Sequence, residues 1–307
     1  LGFPDEDDVR IFIPDTHFIT PATIKKMGYR SVTNDVDLLA RTMLALATLK
    51  ADSAATVAIY QLGDFMDLWR ESLSGADPVI AADKIAVAYP DVMQAFDDAR
   101  VRFVFGNHDY DLRRIPRFVA WNRRYYLPDL DSRKPSVMIT HGDVFDWLER
   151  SLPDDIQRFF VYYFAPLFSA NDYDLRAVED TIRKCHGKKK YLTKIQGTAD
   201  IGPVTDPEQM PRRFNVKSDG VFFQGAKDAC RKANAQFGLD LRIAVIGHTH
   251  HARMVAEEDG DQLFLLMDCG AWIEKCRIDG FDKPVPSAQV GVLAMNDARI
   301  YQLLRKA

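Results

Sequence analysis

Several sequence features that mark membrane, secreted or nucleic-acid-binding proteins are missing from this chain. No apolar run of about 18 residues or more occurs, so no membrane-spanning helix is predicted. The first residues carry no basic segment followed by an apolar one, so we expect no signal peptide and a cytoplasmic location. Lysine and arginine number 40 against 44 acidic residues, and this slight acidic excess disfavours a general nucleic-acid binder.

Cysteine and histidine are also scarce. The four cysteines show no CxxC spacing, which favours reduced, buried thiols over a disulfide framework. Histidine occurs seven times, and five of these residues fall in short motifs that follow predicted strands. Histidines scattered through a core or over a surface would not follow strand ends so regularly.

The remaining composition is that of an ordinary globular protein. Apolar residues make up 47% and charged residues 27% of 307 positions, enough to bury a sizeable core. We predict a single domain over residues 1–307, with a helical insertion over residues 144–240.

Five predicted strands each end in polar side chains that can ligate metals. The strands are predicted at residues 9–13, 56–62, 101–105, 136–140 and 241–246. The motifs that follow them are Asp15-Thr16-His17, Gly63-Asp64-Phe65-Met66-Asp67, Gly106-Asn107-His108-Asp109, His141-Gly142-Asp143 and Gly247-His248-Thr249-His250. Such side chains cost free energy inside a protein unless they find partners or a metal. On an extended backbone, residues i and i+2 share a face, so Asp15 and His17 are expected to point together. Each motif alone is equally consistent with a polar turn, in which glycine supplies backbone freedom.

The order of helices and strands predicts the fold class. A helix is predicted from Asn34 or Asp35 to about Lys50, and another over residues 81–99 with a break at Pro90. The resulting β-α-β-α-β order predicts an α/β core. Strands predicted at residues 255–256, 262–267 and 290–295 have no helix between them, which suggests an antiparallel or mixed second half.

The insertion is rich in aromatic residues at 154–168 and in basic residues at 183–194, and a helix is predicted over residues 220–236. Two interpretations stay open. The aromatic residues form either the core of a lid or an acyl-chain cleft. The basic residues form either a solvated face or a contact with phosphate or an anionic membrane surface.

Taken together and in this order, the five motifs resemble those of the calcineurin-like metallophosphoesterases. The resemblance implies a four-layer α/β/β/α sandwich with two mixed β-sheets, a helical insertion and a site at one edge. It also implies two divalent cations, most simply Mn²⁺ with Fe or Zn as alternatives, and attack on phosphorus by a metal-bridging hydroxide. The first cation would be held by Asp15, His17, Asp64 and His250, and the second by Asp64, Asn107, His141 and His248.

The resemblance assigns two further roles. His108 would steady the developing charge on phosphate and help protonate the leaving oxygen. Asp67 would hold His108 in orientation, although a carboxylate at the start of a helix is the alternative. Asp109 and Asp143 are expected to make structural hydrogen bonds.

Two segments narrow the resemblance. Residues 141–146 (HGDVFD) and 268–276 (DCGAWIEKC) are similar to segments of the bacterial branch that includes UDP-2,3-diacylglucosamine pyrophosphatase. Ala271 and Asp268 stand where that branch usually has Asp and Asn, and His108 stands where its best-known enzymes have Arg. We therefore expect a small phosphorylated or lipid-linked substrate, no nucleic acid, and peripheral contact with the inner membrane through the insertion. A phosphodiesterase or nuclease, a phosphoprotein phosphatase and a non-catalytic scaffold are the alternatives.

Overall fold

Two mixed β-sheets form the centre of the molecule. The computed structural model describes residues 9–29, 32–33, 35–72, 78–115, 125–126, 136–145, 221–259, 262–274, 277–278, 286–294 and 297–303. The strands are β1 Val9–Ile13, β2 Val57–Gln61, β3 Arg102–Phe103, β4 Tyr125–Tyr126, β5 Val137–Thr140, β6 Ile243–Ile246, β7 His251–Asp259, β8 Gln262–Asp268, β9 Arg277–Ile278, β10 Gln289–Ala294 and β11 Asp297–Gln302. The helices are α1 Pro21–Met27, α2 Val36–Asp52, α3 Leu68–Glu71, α4 Pro78–Ala88, α5 Pro90–Asp98 and α6 Val221–Phe237.

The strand order places the ends of five strands at one edge of the sandwich. The first sheet has the order β11-β10-β1-β2-β3, and the second has the order β4-β5-β6-β8-β7-β9. Strands β1, β2 and β3 run parallel, as do β5, β6 and β8. Because the carboxyl ends of parallel strands meet at the same edge, the loops after these strands can converge there.

Alternation along the strands creates three apolar layers. Ile11 and Ile13 face a core shared with helices α2, α4 and α5, whereas Phe12 between them belongs to the core between the two sheets. On the far side, Ala244 and Ile246 of β6 pack in a core with residues of α6. Helices therefore cover both outer faces, and the expected four-layer α/β/β/α sandwich with two mixed sheets is the observed architecture.

Most of the predicted elements agree with the structure. The break predicted at Pro90 divides the region into α4, which ends at Ala88, and α5, which has Pro90 in its first turn. The strand predicted over residues 101–105 is shorter and pairs only through Arg102–Phe103. Helix α6 matches the helix predicted over residues 220–236, whereas residues 146–220 of the predicted insertion lie outside the described residues.

The described residues bear on two predictions, one about the cysteines and one about membrane-spanning helices. Cys230 and Cys269 are buried free thiols. Burial raises the pKa of Cys230 to about 12 and that of Cys269 well above its ordinary value, so both thiols are protonated and unreactive at neutral pH. Within the part of the chain described here, no helix has the length and apolar character needed to cross a bilayer.

Candidate metal centre

Five loops converge at the edge formed by the carboxyl ends of the parallel strands. They follow β1, β2 and β3 of the first sheet and β5 and β6 of the second. The seven predicted ligands lie in these loops and are brought together there: Asp15, His17, Asp64, Asn107, His141, His248 and His250. Two groups of three, one from Asp15, His17 and His250 and one from Asp64, His141 and His248, each have ligand atoms within 4.8 Å of one another.

The first group consists of Asp15, His17 and His250. The Nε2 atoms of His17 and His250 lie 2.8 Å apart, and His250 Nε2 lies 3.2 Å from Asp15 Oδ2. Asp15 also accepts hydrogen bonds from the backbone N–H of His248, at 2.9 Å to Oδ2. Two imidazole nitrogens and a carboxylate oxygen thus face one point, and these donors suit a divalent cation.

The second group is centred on His141, which is completely buried. Its Nδ1–H donates to the carbonyl of Leu62 at 2.9 Å, which directs Nε2 toward the cluster. Around Nε2 lie Asn107 Oδ1 at 3.1 Å, His248 Nδ1 at 3.1 Å and Asp64 Oδ2 at 3.3 Å. A histidine anchored through one nitrogen with the other facing oxygen and nitrogen donors has the usual arrangement of a metal ligand.

The electrostatic field at His141 favours positive charge. Burial opposes protonation, but the carboxylates of Asp64 and Asp15 outweigh it and hold the pKa of His141 well above its ordinary value. Burial raises the pKa of Asp64, but His141, His108 and His17 outweigh burial and hold that pKa well below its ordinary value. Burial also lowers the pKa of His17 to about 4, so this ring is neutral and can donate a lone pair at neutral pH.

The backbone of the ligand loops is unusual. His17, Asp64, His248 and His250 have φ angles of 48°, 51°, 66° and 51°. These values lie in the left-handed region, which residues other than glycine rarely adopt. Asp15 and His17 do point together as predicted, but His17 is left-handed, so the extended backbone assumed in that prediction is not what brings them together. Strained backbone of this kind costs about 1–3 kcal/mol per residue and clusters at functional sites.

The glycines of the motifs make room for the ligands. A Cβ atom on Gly106 would overlap the Asp64 carboxylate, and a Cβ on Gly247 would overlap the Asp15 carboxylate. Neither glycine has a positive φ, so its role here is the missing side chain and not the backbone freedom that the sequence suggested. Gly63 combines both roles, with a φ of 97° and no space for a Cβ beside His141.

His108 lies beside the two groups and is held on several sides. Its backbone N–H donates to Asp64 Oδ1 at 2.9 Å, and its Nδ1 lies 2.8 Å from Asp67 Oδ1. Trp69 stacks on the ring at a centroid distance of 4.6 Å and an angle of 29°. Asp67 is also the N-cap of α3, so both interpretations of this residue describe real contacts.

Asp109 and Asp143 differ in how the structure places them. Asp109 accepts the backbone N–H groups of Gly106 at 2.7 Å and Phe65 at 2.8 Å, which ties the β3 loop to the β2 loop. Burial and the nearby Asp64 raise the pKa of Asp109 well above its ordinary value. Asp143 is buried at the start of a short 3-10 helix, Asp143–Phe145.

The sequence assigned no supporting role to four residues that hold the centre: Trp69, Arg70, Thr249 and Asp268. Thr249 Oγ1 donates to the buried Asp268 Oδ2 at 2.6 Å and thereby fixes the loop between His248 and His250. Trp69 and Arg70 lie two and three residues after Asp67, a predicted site carboxylate. This proximity in sequence is the signal that could have identified them.

The fold and the site together define an α/β/β/α sandwich with a buried histidine–carboxylate cluster that can hold metal ions. No protein-family model matches the sequence, and the comparison with curated proteins found no match.

Solved structures that are similar to the chain include two at low identity. One is a conserved uncharacterized protein from Streptococcus pneumoniae, described as a predicted phosphoesterase, at 11% identity and a TM-score of 0.30, covering 96% of this chain and 98% of that chain. The other is a 5'-nucleotidase precursor from Thermus thermophilus, at 13% identity and a TM-score of 0.37, covering 96% of this chain and 54% of that chain.

Proposed function

We propose that the protein is a hydrolase that cleaves a phosphoester or pyrophosphate bond with the aid of two divalent cations. The observation that carries the proposal is the position of Asp64. Its Oδ2 lies 3.6 Å from His17 Nε2 in the first group and 3.3 Å from His141 Nε2 in the second. One carboxylate oxygen therefore faces both groups, as a bridge between two cations about 4 Å apart requires.

The side chains suit such a pair of cations. The proposed ligands of the first are Asp15, His17, Asp64 and His250, and those of the second are Asp64, Asn107, His141 and His248. Oxygen and imidazole donors without thiolate suit Mn²⁺, which we propose, as well as Fe or Zn. When bound, the cations would supply Lewis-acid charge to the phosphoryl group and an activated water.

His108 is the proposed general acid. Because its Nδ1 faces Asp67, its Nε2 is left for the substrate, and the residue is 6% exposed at the site. The ring would donate a hydrogen bond to the phosphoryl group and then give its proton to the leaving oxygen. Asp67, which is anionic, would hold the ring in orientation. Burial raises the pKa of Asp67, but Arg70 and His108 outweigh burial and hold it well below its ordinary value.

For the substrate we propose a UDP-diacylglucosamine-like molecule or another small phosphorylated compound. The segment that carries the finer resemblance lies against the centre, since Ala271 forms a β-bridge with Asp15 and Trp272 N–H donates to the Asp15 carbonyl at 2.7 Å. A protein acting on such a glycolipid would work in the cytoplasm at the inner membrane. The basic and aromatic insertion proposed to contact acyl chains or membrane lies largely outside the described residues.

The test is steady-state hydrolysis by the Mn²⁺-loaded protein, with a UDP-linked diacylglucosamine and a simple phosphodiester assayed side by side. We expect His108→Ala to lower kcat by about 10²–10⁴-fold while both Mn²⁺ ions stay bound, as is typical for loss of a general acid. We expect Asp64→Asn to abolish stoichiometric binding of Mn²⁺, measured by titration calorimetry. Arg231→Gln, a substitution on α6 at a side chain 50% exposed, is the control that should change neither quantity.

The outcomes separate the substrate from the chemistry. Preference for the glycolipid that depends on His108 would support the finer proposal. His108-dependent hydrolysis of the diester alone would retain the metal chemistry and favour a phosphodiesterase. A Mn²⁺-loaded protein that hydrolyses neither compound, or one that is indifferent to the loss of His108, would contradict the proposed mechanism.

A further inference from the structure

The short turn from Asp67 to Arg70 is packed around His108 and has a buried charge at its end. Arg70 is 1% exposed and lies in helix α3, three residues after Asp67. Its guanidinium carbon lies 5.7 Å from the centroid of the Tyr29 ring, in a cation–π arrangement. A guanidinium cannot lose its charge in a protein, so burying it is expensive unless an anion lies close by.

Arg70 contacts both oxygens of the Asp67 carboxylate. Its backbone N–H donates to Oδ1 at 2.9 Å, and its side-chain Nε lies 2.7 Å from Oδ2. One residue thus grips the carboxylate from two directions. The first contact is a hydrogen bond and the second is an ion pair, so a rotation of the carboxylate would lengthen both.

Each oxygen also faces a different histidine. His108 Nδ1 lies 2.8 Å from Oδ1, and His17 Nδ1 lies 3.0 Å from Oδ2. The carboxylate is hydrogen-bonded to His17 Nδ1, and its negative charge 2.8 Å from His108 Nδ1 favours a proton on that nitrogen, so both Nε2 atoms are left for the site. The tautomers of the proposed acid and of a proposed metal ligand therefore depend on one carboxylate.

A buried ion pair contributes little net stability, because desolvation offsets most of the attraction between the charges. The contacts of Arg70 instead hold the Asp67 carboxylate in one orientation. We propose that Arg70 is a positioning residue that locks Asp67 and thereby couples the orientation of His108 to that of His17. This inference rests on the proposed hydrolase function and extends it to a residue that touches neither substrate nor cation.

The kinetic test compares Arg70→Gln and Arg70→Lys in the native background and in the His108→Ala background, with the Mn²⁺-loaded protein. Arg70→Gln should lower kcat by about 10–100-fold, the range seen when outer-shell partners are removed, with KM changed less than about twofold. Arg70→Lys keeps the charge and should recover part of the loss. In the His108→Ala background, the loss of kcat caused by Arg70→Gln should be several-fold smaller, because the part that acts through His108 is already gone and only the part that acts through His17 remains.

A second readout does not depend on turnover. Long-range ¹⁵N NMR of histidine-labelled protein loaded with Zn²⁺ reports which ring nitrogen carries the proton. Arg70→Gln should change the tautomer signals of His108 and shift the Nδ1 signal of His17, whose Nε2 would bind the zinc, whereas Arg231→Gln should leave both unchanged. Thermal unfolding of each variant shows whether the fold is retained.

Two results would overturn the inference: equal losses of kcat in both backgrounds, or histidine signals that do not respond to Arg70→Gln. Failure of the proposed function looks different. The native protein would then hydrolyse neither phosphate compound, while the NMR experiment would still report whether Arg70 orients the two rings.

Discussion

At the scale of single residues, the centre depends on two glycines without side chains as much as on its proposed ligands. Gly106 and Gly247 stand where any side chain would occupy the space of the Asp64 or Asp15 carboxylate. Rigid, close-packed surroundings transmit such an overlap to neighbouring groups, because protein interiors have few voids. A single methyl group at these positions should therefore disturb the cluster.

Gly106→Ala should weaken Mn²⁺ binding by about tenfold or more, because the new Cβ displaces Asp64 and disturbed metal surroundings typically cost 10–100-fold in affinity. Titration calorimetry measures the effect. Gly238→Ala is the matched control: a Cβ there meets nothing within 4 Å, but the backbone φ is +65°. It should lower the free energy of unfolding by about 1 kcal/mol and leave Mn²⁺ affinity unchanged. Equal affinities for Gly106→Ala and native protein would contradict the steric argument.

Residue types in the sequence predicted the proposed ligands of the centre better than they predicted the residues that hold those ligands in place. Asp15, His17 and the other predicted ligands stand out in sequence because such side chains rarely end buried strands without a purpose. Trp69, Arg70 and Thr249 do not stand out, since their roles depend on contacts that fold geometry creates. Arg70 has no local signal of burial, yet it is among the most buried side chains described.

At the scale of elements, the loop after β6 shows how strained backbone is held. His248 and His250 both have left-handed φ angles, and Thr249 lies between them. Thr249 Oγ1 donates to Asp268 Oδ2 and accepts the backbone N–H of His251 at 3.1 Å. The hydroxyl thus ties the loop to the end of β8 and the start of β7.

Thr249→Val keeps the shape of the side chain but removes its hydrogen bonds. The loop should relax, and Mn²⁺ affinity should fall about tenfold, which is about 1.4 kcal/mol. Thr42→Val is the control, since the Thr42 hydroxyl donates to the Leu38 carbonyl within α2 and is remote from the centre. If both variants bind Mn²⁺ as tightly as the native protein, Thr249 does not hold the loop.

The sequence predicted the boundary of an element correctly where a single residue type determines it. Pro90 has no N–H to donate, and helix α4 ends two residues before it. The strand after α5 was predicted too long, because apolar residues such as Val104 and Phe105 suit buried loop as well as strand. The strand ends where its pairing with β2 ends, and the residues of β3 alone do not show where that is.

At the scale of the whole molecule, the centre joins the two sheets. Asp15, Asp64 and Asn107 come from the first sheet, whereas His141 and His248 come from the second. A cation held by both sheets binds the folded state and not the unfolded chain, so it stabilises the fold by mass action.

Mn²⁺ at about 100 times its Kd should raise the free energy of unfolding by about 2.7 kcal/mol per site, and chelation should remove this gain. Thermal unfolding with Mn²⁺ and with EDTA measures the difference. The Asp64→Asn variant should show no shift of Tm with Mn²⁺, because its bridging carboxylate is lost. A shift of the same size in that variant would place the bound cation elsewhere.

The distance along the chain between ligands sets a limit on when the centre can form during synthesis. His17 and His250 touch across 233 positions of sequence. At typical translation rates of about 5–20 residues per second, the ribosome needs on the order of 10–50 s to add the second after the first. For that interval the nascent chain holds an incomplete set of the proposed ligands, so the proposed cations could bind only late, after the second sheet has left the ribosome.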